Sequence, residues 1–351
     1  MLEELLNNIG SLDKASMEAA QKKLDSLTKP LGSLGKLEEI VVKLAGINKC
    51  TNPKVDNKAV VIMCADNGVV EEGVSSCPKS VTAAVTNNFT RGITGINVFS
   101  RLTGAKMVIV DIGVDADIPY SVILNKKIRK GTWNMAKGPA MTREEAIAGI
   151  RSGIDIIKDL KDEGVNLLGT GEMGIGNTST SSAISAVLTS SPVEEVVGMG
   201  SGLSKKAYQN KIEVIKRAIE VNQPNPDDPI DVLAKVGGFD IAGLTGCFLG
   251  AAIQRIPIVI DGFISAVAAL IAVRLHSGAR NFMFPSHGSA EPGTKAVMKA
   301  LDMEPMLNLN MRLGEGTGAA LAFQLIDAAI AAYTQMGSFD DANIEQYVPQ
   351  E

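Results

Sequence analysis

Short runs rich in β-branched residues alternate with helical stretches over most of this 351-residue chain, and that alternation constrains its fold more than any other feature. The runs are Ala59–Met63, Met107–Ile112, Val165–Leu168, Val196–Val197, Pro257–Ile260 and Asn281–Phe284. Strands that take turns with helices predict βαβ units, hence an α/β fold with a parallel sheet flanked by helices. The runs close on Asp66-Asn-Gly, Gly113, Gly169-Thr-Gly171, Gly198-Met-Gly200, Asp261-Gly262 and Ser286-His-Gly-Ser289. Small and polar residues thus gather just past strand carboxyl ends, where open α/β sheets bind ligands. Helix starts are also marked. Thr142 with Glu145 forms a capping box, and Asp228-Pro229 places an N-cap before a proline at the first helical position.

The first fifty residues hold no strand-like run. Leu24, Leu27 and Leu31 punctuate one helical segment, a second amphipathic helix runs from Lys36 to Leu44, and Thr-Asn-Pro at 51–53 reads as a linker. The most apolar stretch, Ile241 to Leu275, is cut by Gln254, Arg255, Pro257 and Asp261. It therefore falls short of the roughly 20 apolar residues that cross a bilayer.

Charge and composition exclude several functions. The net charge of −5 comes without a Lys/Arg block, so nonspecific nucleic-acid binding has no basis. Cys50, Cys64, Cys77 and Cys247 lack C-x-x-C spacing and only two histidines are present, His276 and His287, so no metal site is expected. Four scattered thiols without a leader sequence fit a reducing cytoplasm.

Gly169-Thr-Gly-Glu-Met-Gly174 fits G-x-G-x-x-G between a strand and a helix. A dinucleotide reading also asks for an acid closing the next strand about twenty residues on, whereas Glu194 and Glu195 precede the apolar pair Val196-Val197. A phosphate on the turn needs only backbone N–H groups and a helix N-terminus. A glycine-rich turn without a ligand is the plain alternative. Gly198-Met-Gly-Ser-Gly202 is a second such turn, followed by Lys211, which is either its cation or a solvated surface lysine. Two acids sit among glycines just before helices, Glu172 and Glu315. Either could merely complement a helix N-terminus, but Gly314, Gly316 and Gly318 leave the Glu315 carboxylate unshielded. His287 has no G-x-S-x-G partner and reads as a loop residue.

Longer motifs carry a resemblance. They include Thr28-Lys-Pro-Leu-Gly-Ser-Leu-Gly35, Asn88-Phe-Thr-Arg-Gly92, Gly138-Pro-Ala-Met-Thr-Arg-Glu-Glu145 and Gly171-Glu-Met-Gly-Ile-Gly-Asn-Thr178. Gly73-Val-Ser with Pro78-Lys and Val81-Thr, Val259-Ile-Asp-Gly-Phe-Ile-Ser265, Ser289-Ala-Glu-Pro-Gly293 and Met311-Arg-Leu-Gly-Glu-Gly-Thr-Gly318 complete the set. From about residue 20 to about 335 the chain resembles the nicotinate-nucleotide:dimethylbenzimidazole phosphoribosyltransferase family, which activates the lower ligand of cobamides. The resemblance implies a Rossmann-like parallel sheet in a large domain, 53–334, and a small helical domain, 1–52, joined by a C-terminal helix over about 335–351. It implies a homodimer, or a heterodimer with a paralogue, and no cofactor. Ribose 5-phosphate passes from nicotinate mononucleotide to the base, releasing nicotinate and giving an α-linked ribotide.

By the same resemblance Glu315 is the general base and Glu172 a second carboxylate of the site. Gly174, Ile175, Gly176, Asn177, Thr178, Gly200, Lys211 and Ser289 hold the phosphate, and Cys77, Val85, Met173 and Leu313 form the acceptor-base pocket. The chain departs from the family at Ala65-Asp-Asn-Gly68, where Gly-Asp-His-Gly is common. Cys77, Val85 and Met173 also make the base pocket less polar, which keeps phenol and p-cresol acceptors open. A non-catalytic partner subunit of a heterodimer is the alternative reading.

Overall fold

The computed structural model describes residues 2–119, 122–200 and 202–346. Among the described residues six strands form one sheet: β1 Lys58–Ala65, β2 Lys106–Gly113, β3 Leu124–Asn125, β4 Leu167–Met173, β5 Ile258–Ile260 and β6 Met283–Pro285. Their spatial order is β3-β2-β1-β4-β5-β6 and every neighbouring pair is parallel. Central β1 is buried at every residue, as expected of a parallel strand covered on both faces. Successive side chains point to opposite faces. Val60 packs against Gly316 at the start of helix Thr317–Gln335, while Met63 packs against Gly243 in helix Phe239–Gln254.

The strand order reverses between β1 and β4, which pair in register with Met63 opposite Glu172 and Cys64 opposite Met173. In an open α/β sheet the crevice outside the carboxyl ends at such a switch point is where ligands bind.

On one face, helix Phe239–Gln254 lies against helix Arg143–Asp162. A Cβ on Gly246 would fall 1.9 Å from the Ile150 carbonyl oxygen, so the two backbones touch midway along the first helix. Helix Lys36–Asn48 packs on Thr317–Gln335 and pairs with helix Lys14–Ser26. Past Gly337 the chain returns to this N-terminal pair: the Thr28 N–H donates to the Gly337 carbonyl, and the Gln346 amide donates to that of Asp25. Of the stretch 335–351 expected as a helix, the described residues continue Thr317–Gln335 and then form one turn, Phe339–Ala342, while 347–351 lie outside them. Thr317–Gln335 has the length and apolarity of a membrane-crossing helix, but half of its apolar window is buried in the fold.

Three strand expectations need correction. Val196–Val197 is no strand: Val193–Val196 is a short helix, started by Pro192 with Glu194 and Glu195 in its first turn. Two β-branched residues cannot outweigh that helix start. The run at Val165–Leu168 continues through Gly169-Thr-Gly171 to Met173, so those glycines lie in a strand rather than a turn. Asn281–Phe284 shifts to Met283–Pro285, because Ser277–Phe282 winds into a 3-10 helix. The capping box at Thr142 and Glu145 and the Asp228-Pro229 helix start both form.

Candidate active site

A cavity of about 350 Å3 opens beyond the carboxyl ends of β4, β5 and β6. At one end the turn Gly174-Ile175-Gly176 links β4 to helix Asn177–Thr189. Gly176 takes φ +92°, and the Ile175 N–H donates to the buried Thr82 hydroxyl over 3.1 Å. Thr178 and Gly200 share this end. Behind them lies Lys211, on helix Lys205–Asn222. The solvated reading fails for this lysine, whose side chain is fully buried. Its Nζ donates to Thr178 Oγ1 at 2.9 Å and to the Gly198 carbonyl at 3.1 Å. Burial lowers its pKa to about 8, and the field of Glu291 works against that fall. An ammonium has three protons to donate, so one remains for a ligand anion.

At the other end stand Val85, Met173, Leu313 and Glu315. Glu315 is the middle of three successive residues at positive φ, namely Gly314 at 83°, Glu315 at 62° and Gly316 at 95°. A non-glycine residue in that region costs of order 1 kcal/mol or more and persists only where its surroundings impose it. Here Asp261, just past β5, imposes it. Its Oδ2 accepts from the Gly316 N–H at 3.1 Å, and its Oδ1 from the N–H groups of Gly318 at 2.7 Å and Ala319 at 3.1 Å. One buried carboxylate thus caps helix Thr317–Gln335 and holds the turn before it. The sheet presses from below. A Cβ on Gly171 would lie 2.3 Å from the Glu315 carbonyl oxygen, and one on Gly314 would lie 2.4 Å from Glu172 Oε1.

The Glu315 side chain reaches the N-terminus of a different helix, Gly95–Thr103. Its Oε2 accepts from the Ile96 N–H at 3.1 Å, with the Gly95 N–H and the Thr94 hydroxyl close by. The helix-terminus role weighed for this acid is therefore real, but the helix is not its own. Burial lifts its carboxyl above the ordinary range, and those three donors pull it back part of the way.

Glu172, next to last in β4, has its carboxyl buried. The Asn177 amide donates to Glu172 Oε2 and also to Asp240 Oδ2 at 3.1 Å, bridging two acids. Burial first, then the Asp240 charge, pushes Glu172 up to about 8. Burial raises Asp240 to about 6 against the Asn177 amide and the Ile241 N–H. Asp261 rises to about 7 by burial, opposed by its backbone donors. At neutral pH Glu172 is thus a neutral acid and can donate a hydrogen bond. His287 also lines the cavity, with Nδ1 3.0 Å from Ser286 Oγ, and burial lowers its pKa below the ordinary imidazole value.

Of the residues singled out in the sequence, Glu315, Glu172, Gly174, Ile175, Gly176, Asn177, Thr178, Gly200, Ser289, Val85, Met173 and Leu313 all line this one cavity. Lys211 is not in the lining but stands behind Thr178, to which its Nζ donates. Cys77 is half-buried outside the lining, its N–H donating to Ser75 Oγ, and Ser75 stands in the wall instead. Asn67 is buried behind the Gly174 turn, outside the lining. Sequence reasoning missed Asp240, Ser75, Glu291 and Arg312. It gave Asp261 no part in the site. The Arg312 guanidinium donates to the Gly200 carbonyl at 2.8 Å and ties the two ends of the cavity together.

This cavity has counterparts in known proteins. A profile of the family DBI_PRT, described as phosphoribosyltransferase, matches residues 9–344. The chain belongs to this phosphoribosyltransferase family. Two similar proteins, from Clostridium acetobutylicum and Ruminiclostridium cellulolyticum, are each 65% identical over 99% of both chains. Both carry the name nicotinate-nucleotide–dimethylbenzimidazole phosphoribosyltransferase. The crystal structure of CobT from Thermus thermophilus superposes with a TM-score of 0.91 at 37% identity, covering 95% of this chain and 100% of that one.

Membership makes the chain a pentosyltransferase, and the dinucleotide reading of Gly169–Gly174 falls away with it. The first two glycines of that motif sit inside β4, so the tight turn that should cradle a pyrophosphate is absent there. The buried acids give this phosphoribosyltransferase a marked pH response. Each has a folded-state pKa above the ordinary carboxylate value near 4, so the folded state binds more protons than the unfolded one across the interval. Stability is then fullest below about pH 4 for these groups and is lost as pH rises towards the Glu172 value of about 8. The thermal midpoint of the unliganded protein is expected to fall between about pH 5 and about pH 7, below the Lys211 value of about 8 where a group of opposite sign begins to titrate, and Glu172→Gln to flatten the upper part of that fall. A midpoint that climbs over this range would refute the assignment.

Proposed function

We propose that the enzyme transfers ribose 5-phosphate from nicotinate mononucleotide to the aromatic base of a cobamide lower ligand, with 5,6-dimethylbenzimidazole as the first candidate. The names of its close relatives support the substrates. One observation carries the mechanism: Glu315 is held on a left-handed turn in the same cavity as a glycine turn backed by Lys211.

The chemistry follows from the substrates. The nicotinate ring of the donor is a pyridinium, so the electron pair of the breaking C1′–N bond neutralises it and no general acid is needed. The acceptor's ring nitrogen with the free lone pair attacks C1′, and the N–H proton on the other nitrogen of the ring must leave as the new bond forms. Glu315 takes that proton. A β-linked donor giving an α-linked product requires inversion, which a single displacement supplies when the base stands opposite the leaving group. Glu172, kept neutral, adds no second negative charge beside Glu315 and offers an O–H to the bound ring. The phosphate sits on Gly174-Ile175-Gly176, Asn177, Thr178, Gly200, Ser289 and Lys211. The acceptor lies against Val85, Met173 and Leu313, an apolar wall suited to a flat ring.

The test is nicotinate release by the purified chain, given nicotinate mononucleotide with dimethylbenzimidazole, a purine, phenol or p-cresol. Release with dimethylbenzimidazole and an α-ribotide by NMR are expected from the chain alone, in the fraction where it elutes on size exclusion. No release with any base would overturn the proposal, and activity only beside a second subunit would favour a partner role. Intact Glu315 and Glu172 in one cavity, with Lys211 behind its wall at Thr178, support the catalytic reading.

A further inference from the structure

Glu291 has no part in the reaction as described so far, yet it is among the more constrained acids in the protein. Its residue is 7% exposed and lines the cavity. The backbone carrying it runs beside the segment that leads to Glu315: the Gly288 N–H donates to the Leu307 carbonyl at 2.9 Å, and the Ala290 N–H to that of Met311 at 3.0 Å. On its other side Glu291 Oε2 presses on Gly198, where a Cβ would fall 1.8 Å from it. That oxygen is buried with no hydrogen-bond partner. Lys211 feels the charge of Glu291, but its own short contacts go to Thr178 and Gly198. A buried carboxylate oxygen without a donor is rare in a folded protein and calls for a group that completes it.

Two facts limit what that group can be. A carboxylate only accepts hydrogen bonds and repels a phosphate, so the neighbouring part of the ligand must carry O–H or N–H donors. Glu291 also stands between the Gly198–Gly200 turn, beside Lys211, and the segment ending at Glu315. A 5-phosphorylated sugar bridging those ends places its ring hydroxyls there.

We propose that Glu291 binds the ribose hydroxyls of the donor and makes the site select ribose over deoxyribose. The proposal rests on the donor named above, but its test can be read without turnover. Ribose 5-phosphate, 2-deoxyribose 5-phosphate and 3-deoxyribose 5-phosphate would be titrated calorimetrically into wild type and Glu291→Gln. The expected wild-type preference for ribose 5-phosphate over at least one deoxy sugar is about 10- to 100-fold, the range for a hydrogen bond to a charged group. In Glu291→Gln that preference should shrink to within about threefold, with binding of the corresponding deoxy sugar nearly unchanged. kcat/KM for nicotinate mononucleotide should fall by a similar factor. Equal weakening for all three sugars would mean that Glu291 only steadies Lys211, and would overturn the proposal, as would a wild type indifferent to both deoxy sugars. Failure to release nicotinate with any base would instead count against the reaction, leaving the sugar preference to stand or fall by itself.

Discussion

Glu315→Gln should bind nicotinate mononucleotide as tightly as wild type and turn it over about 100- to 10,000-fold more slowly, the usual cost of removing a general base. Glutamine keeps the side chain's length and an oxygen that can still accept from the Ile96 N–H, so helix Gly95–Thr103 stays capped and the turn keeps its shape. What is lost is the capacity to take a proton. The same reasoning gives a pH signature. In the wild type kcat/KM should decline as pH falls through the Glu315 pKa, which burial sets above the ordinary carboxylate value, and in the variant this limb should be missing. Single-turnover nicotinate release, paired with calorimetric binding, measures both. A variant within about twofold of wild-type kcat would take Glu315 out of the chemistry.

Asp261→Ala should cost about 3–5 kcal/mol of stability, read by chemical denaturation. The estimate comes from counting donors. Three backbone N–H groups, of Gly316, Gly318 and Ala319, lose their acceptor in a buried place, and each unsatisfied group costs about 1–3 kcal/mol. Water entering the vacated space would return part of that. Activity should fall further than stability, because the left-handed turn that aims Glu315 is no longer held. Asp261→Asn should be milder in stability, since its oxygen can still accept from Gly318 and Ala319 while its NH2 group faces the Gly316 N–H. A loss below about 1 kcal/mol for the alanine variant would show that the turn supports itself.

Most of the fold was legible. β1 and β2 appear within one or two residues of their β-branched runs, and the parallel architecture follows from the alternation that produced them. The errors have a common physical source. Gly169 and Gly171 resemble turn residues by composition, but they are glycines because helix Thr317–Gln335 and its preceding turn lie against that strand. Nothing local records a contact between segments so far apart in the chain. Two-residue β3 exists only by pairing with Val110 and Asp111, so no run of its own announces it.

The site divides the same way. Glu315, Glu172 and the glycine turns stood out because an unusual local pattern accompanied each of them. Asp240 and Asp261 act by touching backbone and side chains from other elements, and Glu291 by standing between two turns. Their roles lie in placement. Lys211 shows the converse: its flanks on helix Lys205–Asn222 look like those of any solvated lysine, and only the fold encloses it.

The close approach of Gly171 to the Glu315 carbonyl also makes a residue without a side chain informative about other sequences. Any larger residue there must push the acid's turn away from the strand, since the clash is with backbone that has nowhere to rotate. A relative that carries a glutamate at the position of Glu315, but alanine or serine at that of Gly171, should therefore not be credited with the same placement of its acid. The glycine is a marker, readable without a structure, of where that carboxylate stands.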